Sequence, residues 1–162
     1  MPRFRQPNPV VRARADDTFE VVLDLRYRAI LDDALGGIDD LLDDPDQPGL
    51  ERLMPTAYPD DPEREAGYRL LAGEELRTSH QAAIASLQVI FESGSATGEQ
   101  LWAALRALNS IRLVAGTLLG IETDDDDRPG PELDPEDPTN GMWALYDLAT
   151  FVQFHIIRAL DP

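Results

Sequence analysis

The chain has 162 residues, no cysteine and a formal net charge of -17. The length suits a single domain over residues 1–162, long enough for one core, and the missing cysteines exclude disulfides, thiolate nucleophiles and Cys-type zinc sites. The acid excess repels phosphate and anionic lipid, so nucleic acid is an unfavoured partner and a membrane is not expected. It favours a protein partner with a basic surface.

Residues 1–15 form a basic segment with four arginines, Arg3, Arg5, Arg12 and Arg14, and no acid. Pro2, Pro7 and Pro9 forbid a helix there. Phe4-Arg5 and Val10 to Arg14 flank Gln6-Pro7-Asn8-Pro9, which reads as a turn, so a short hairpin packed through Phe4 and Val11 is expected. A free arm is the alternative.

A first helix is expected from Asp17 or Thr18, both good N-caps, with Phe19, Val22, Leu23, Ile30, Ala34, Ile38 and Leu41 on its inner face. Gly36-Gly37 suggests a kink or a close crossing. Asp43 to Gly49 ends it, and Leu50 to Met54 can make one turn. Asp61-Pro62 then reads as an N-cap followed by proline at N1. The helix it opens runs to about Ser93 on Tyr68, Leu71, Leu76, Ala83, Ile84, Leu87 and Ile90. Gly73 could split it.

Thr97 with Gln100 is a capping-box signature for a helix ending near Leu119, with Gly120 as its C-cap. Residues 121–139 form an acidic, proline-rich loop. A last helix covers about Asn140 to Leu160, with Trp143, Tyr146, Ala149, Val152, Phe154, Ile156 and Ile157 apolar. The fold class is all-α: a four- or five-helix bundle with a short N-terminal β-hairpin.

Chemistry is sparse. His80 and His155 lack the glutamate three residues earlier that a bundle di-iron site uses. Asp124 to Asp127 lacks calcium-loop spacing. Phosphate-loop, dinucleotide and nucleophile-elbow motifs are missing. No cofactor and no metal are therefore expected, nor a catalytic residue.

The unusual position is Arg112, a permanent cation on the apolar stripe of its helix. It needs acceptors, and Asp147, beside Tyr146 on the last helix, is the candidate acid. With Asn109 these residues make either an internal clamp or a small acidic-ligand pocket.

The strings RLMPTAYPDDPE (Arg52 to Glu63), LNSIRLVAGTLLGI (Leu108 to Ile121) and ALYDLATFVQ (Ala144 to Gln153) resemble the actinobacterial DUF2017 family, and the likeness covers nearly the whole chain. Leu148 stands where the family often has tryptophan. The resemblance implies a helical protein whose gene commonly neighbours those of the Clp adaptor ClpS and of sulfur-carrier cysteine synthesis. Cysteine-bearing relatives are linked to oxidative-stress transcription through a thiol pair, and that role cannot pass to a chain without cysteine.

The expected function is that of a non-enzymatic regulatory or adaptor protein of the cytoplasm, acting through protein–protein interaction, with links to Clp proteolysis or the stress response. A small-molecule binder or enzyme with a pocket near Arg112 is the alternative, and a transcriptional regulator a weaker one. A homodimer is compatible with the sequence.

Overall fold

The computed structural model describes residues 7–123 and 136–161. Its elements run β1 (Val11–Ala13), β2 (Phe19–Val21), α1 (Leu25–Leu42), α2 (Pro62–Ser93), β3 (Ser95–Ala96), α3 (Gly98–Leu118) and α4 (Thr139–Leu160). Helix makes up 65% of the structure, which is a four-helix architecture with a hairpin at its N-terminal end.

The expected N-terminal hairpin is present, formed by β1 and β2. β1 pairs antiparallel with β2, Val11 opposite Val21 and Ala13 opposite Phe19; the expected Phe4-Arg5 strand lies outside the described residues. Residues 19–21 had been expected in the first turns of a helix. The Asp-Asp-Thr before them makes a turn: the Asp16 carboxylate accepts from the Thr18 amide and hydroxyl at 3.2 and 2.6 Å, and Asp17 takes φ 60°, a conformation Asp tolerates. Asp24 then caps α1, accepting from the Arg26 amide at 2.8 Å. The sheet also gains a third strand, β3, beside β2, so it is larger than a hairpin alone. Asn8 ties this end to the helices. Its carbonyl oxygen accepts from the Val10 and Val11 amides, and its amide donates to the His155 backbone carbonyl at 2.7 Å. Val10 and Val11 are buried.

Of the expected inner face of α1, Ile38 is buried and Ala34 and Leu41 pack against the core. Leu31, Leu35, Ile38 and Leu42 are buried, whereas Ile30 is 48% exposed. A Cβ at Gly36 or Gly37 would touch nothing, and α1 runs through both, so no close crossing occurs there.

α2 is one continuous helix of 32 residues, unbroken at Gly73, about 48 Å long at 1.5 Å per residue. Asp61 caps it and Pro62 opens it, as expected. From Ala83 onward it buries Ala83, Ile84, Leu87, Ile90 and Phe91; before that it buries only Glu65. Its first half overhangs the bundle, which is why Leu71, expected inside, is 84% exposed.

Gly94, with φ 67°, ends α2 and lets the chain turn into β3. The Thr97–Gln100 capping box is formed at α3. α3 is the central helix, packed between α2 and α4 through Leu101, Ala104, Ala107, Leu108 and Ile111. α4 contributes Ala149, Val152 and Ile156, while the apolar Phe154 and Ile157 are more than half exposed. Among the described residues no helix is long and apolar enough to cross a membrane.

Candidate functional site

Arg112 sits mid-way along α3, half-buried, as its place on the apolar stripe demands. One terminal nitrogen donates to Gln153 Oε1 at 3.0 Å and the other to the Tyr146 hydroxyl at 3.1 Å. The guanidinium also lies 5.1 Å from the centre of the Tyr146 ring. Its Nε is buried with no hydrogen-bond partner. Gln153 in turn donates to the Leu105 carbonyl at 3.1 Å.

The result is an interhelical clamp, but its acceptors are neutral and Asp147 is not among them. The reason is helical geometry. Tyr146 and Gln153 are seven residues apart, about two turns, and share a face; Asp147 is rotated about 100° from Tyr146. Asn109 is exposed and does not join the cluster. α4 approaches α3 closely at Gly116, where an added Cβ would lie 3.7 Å from the Tyr146 ring and 3.5 Å from Arg52.

The two histidines sit in different surroundings. His80 Nε2 faces the Leu53 carbonyl at 3.2 Å and Nδ1 faces the Ser110 hydroxyl at 3.4 Å. Ser110 is 1% exposed and donates to the Arg106 carbonyl. His155 is buried between Phe151 and Phe154, its Nδ1 without a partner. Burial, helped by the positive charge of Arg158, holds its pKa below the ordinary imidazole range. Among the described residues no group of His, Asp or Glu is placed to hold a metal ion.

Two surfaces have the shape of binding sites. The first is a cleft of about 350 Å³ between the end of α1, the α1–α2 connection and the overhang of α2, with Leu42, Met54, Tyr68, Leu70 and Leu76 in its walls. Arg69 reaches across it to Asp46 at 3.1 Å and Arg77 to Asp43 at 2.8 Å. Each arginine also holds a carboxylate of its own helix, Glu65 and Glu74. Four carboxylates thus meet two guanidiniums.

Glu65 shapes this end. One oxygen accepts from the Ala57 and Tyr58 amides at 3.0 and 2.8 Å, the other from Arg69. The Tyr58 amide chiefly, then Arg69, holds its carboxyl below the usual range. Sequence reasoning missed Glu65; its spacing of four before Arg69 was the available signal.

The second surface is a groove of about 490 Å³ where α2, α3 and α4 meet, lined by His80, Trp102, Arg106, Asn109, Gln153 and Ile157 among others. Arg112 lines neither the cleft nor the groove.

A family model for a domain of unknown function, DUF2017, matches residues 1–160. The chain belongs to the DUF2017 family. No curated protein and no solved structure matches it. The clamp residues Arg112, Tyr146 and Gln153 and the Asp61 cap of α2 all lie inside strings that carry the family likeness, so for this DUF2017 member those strings include residues that set the helix packing.

Proposed function

We propose that this protein is a non-enzymatic regulatory or adaptor protein that binds a basic segment of another protein in the cleft beside the α2 overhang. One observation carries the reading. Leu70 and Leu71 are 82% and 84% exposed, next to an apolar-walled cleft where four carboxylates, Asp43, Asp46, Glu65 and Glu74, meet two arginines. Exposed leucines on an overhanging helix cost solubility unless a partner covers them. The surrounding carboxylates select a partner with arginine or lysine beside its apolar anchors. The family's gene neighbourhood supports a place in Clp proteolysis or the stress response, and the cytoplasm as the compartment.

The test is capture from a native lysate at physiological salt, with the purified chain and its Leu70→Glu/Leu71→Glu variant as parallel baits. A partner held by the parent, lost by the variant and released by added salt supports the reading. No specific partner, or one indifferent to both leucines, defeats it.

A further inference from the structure

The acid excess stops at one side of the molecule. Between Ala83 and Ile121, and again between Pro138 and Leu160, the chain has only three carboxylates, Glu92, Glu99 and Asp147, against three arginines. These stretches are the inner half of α2, all of α3 and all of α4. They carry no net charge, and the other described residues carry -14. On this near-neutral side stand Trp102, Phe154, Ile157 and Phe151, exposed by 58, 55, 53 and 45%. Trp102 and Ile157 are walls of the α2–α3–α4 groove, and Phe154 and Phe151 continue the apolar stripe up α4 at successive turns. Arg106, on the groove wall, is exposed and has no ion pair among the described residues.

We infer that this face is where a second copy of the chain docks, in a two-fold dimer. The charge distribution selects the occupant. A pairing through α1 or the α2 overhang puts carboxylates against carboxylates, whereas this one apposes two nearly uncharged, apolar faces. At physiological salt the Debye length is about 8 Å, so the contacting faces decide the outcome and not the net charge. A two-fold contact uses the same patch twice, and the patch has both a projection, the aromatic stripe, and a recess, the groove. Half-exposed aromatic side chains offer about 100 Å² each. Three of them with Ile157 reach roughly half of the ~800 Å² per copy of a standard interface, and the groove walls supply further area.

The inference is independent of the partner cleft, which lies on the acidic side. It also has an unusual signature. An ionic contact weakens as salt rises, but this dimer tightens, because salt screens the repulsion between the two acidic sides while the apolar contact is unaffected.

The experiment is sedimentation equilibrium on the purified full chain over a concentration series at low, physiological and high salt. The expected result is a mass rising from 18.0 kDa to twice that, with the dissociation constant falling as salt increases. Trp102→Glu and Ile157→Glu should each weaken the dimer by about thirtyfold or more, the scale of an interface hot spot. Both should keep the helical circular dichroism of the parent, with a melting temperature lowered only by the loss of the dimer. Leu71→Glu, on the acidic side, should leave the dimer intact. A constant 18.0 kDa mass, growth beyond a dimer, affinity that falls with salt, or a dimer that tolerates Trp102→Glu while losing to Leu71→Glu would each overturn the inference.

Discussion

α2 passes through two environments, and its halves are stabilised differently. From Pro62 to about Ala82 it buries one side chain, Glu65, and is held by a capping aspartate, by the pairs Glu65–Arg69 and Glu74–Arg77, and by arginines reaching to Asp46 and Asp43. From Ala83 to Ser93 it has no internal ion pair and is held by five buried apolar residues. Exposed ion pairs give about 0.2–1 kcal/mol and are screened by salt, whereas a fully buried leucine gives about 1.5–3 kcal/mol. The overhang should therefore be the part that opens first, and the α2–α3–α4 bundle the part that sets global stability.

The largest effect expected from that contrast is in the bundle. Leu87 and Leu108 are 1% and 0% exposed, so Leu87→Ala or Leu108→Ala should cost about 2–5 kcal/mol in urea unfolding. Leu71→Ala should stay within about 0.5 kcal/mol. A comparable loss at Leu71 would show that the overhang is part of the cooperative core.

Next comes the clamp. Arg112→Met strands the Gln153 and Tyr146 acceptors and should cost about 1–3 kcal/mol. Because the acceptors are neutral, the double-mutant cycle of Arg112→Met with Gln153→Met should show coupling of about 0.5–3 kcal/mol, while the cycle with Asp147→Asn should be additive within about 0.5 kcal/mol. Coupling to Asp147 and none to Gln153 would reverse the assignment.

The bundle half was also the more legible half in the sequence. Thr97 with Gln100 and the apolar run of α4 are local signals there, as Asp61-Pro62 is at the start of the overhang, and each placed a helix end within a residue or two. What failed depended on distant partners. Phe19 to Val21 looked helical because strand pairing with Val11 and with Ala96 leaves no mark at fixed spacing. Leu71 looked buried because helical period does not say where a long helix leaves its neighbours. Arg112 was singled out correctly, but an acid was sought where a seven-residue step from Tyr146 led to Gln153. A neutral acceptor carries no charge signal to search for.

The two N-caps separate the halves on a smaller scale. Thr97 accepts from the Gln100 amide at 3.2 Å at the start of the central helix, and Asp61 from the Arg64 amide at 3.1 Å at the start of the overhang. Each cap is worth about 1 kcal/mol. Thr97→Ala should lower global stability by that amount. Asp61→Ala should instead speed hydrogen exchange in the first turns of α2 and leave the unfolding midpoint nearly unchanged.

The smallest expected effect is in pH, and it orders the halves by acidity. His155 belongs to the bundle, with its folded pKa depressed by burial and by Arg158. Between the unfolded value, near 6.5, and the lower folded value, the unfolded chain binds more protons than the folded one, so stability falls as pH drops through that window. Glu65 belongs to the overhang, and its folded pKa is depressed too, by the Tyr58 amide and Arg69. Its contribution is complete above the ordinary carboxyl range and is lost only as pH falls through the folded value, well below the imidazole window. Mild acid should therefore weaken the bundle first. His155→Phe keeps the ring contacts with Phe151 and Phe154, removes the unpartnered Nδ1, and leaves the Asn8 bond untouched, since Asn8 grips the backbone carbonyl. Thermal melts of parent and variant from pH 7.5 down to pH 5, a span of about one unit or more on either side of the imidazole range, should show a decline in the parent that is flattened in the variant. Glu65→Gln should leave that slope as it is and alter only the more acidic limb. Parallel curves for parent and His155→Phe would place the mild-acid sensitivity elsewhere in the molecule.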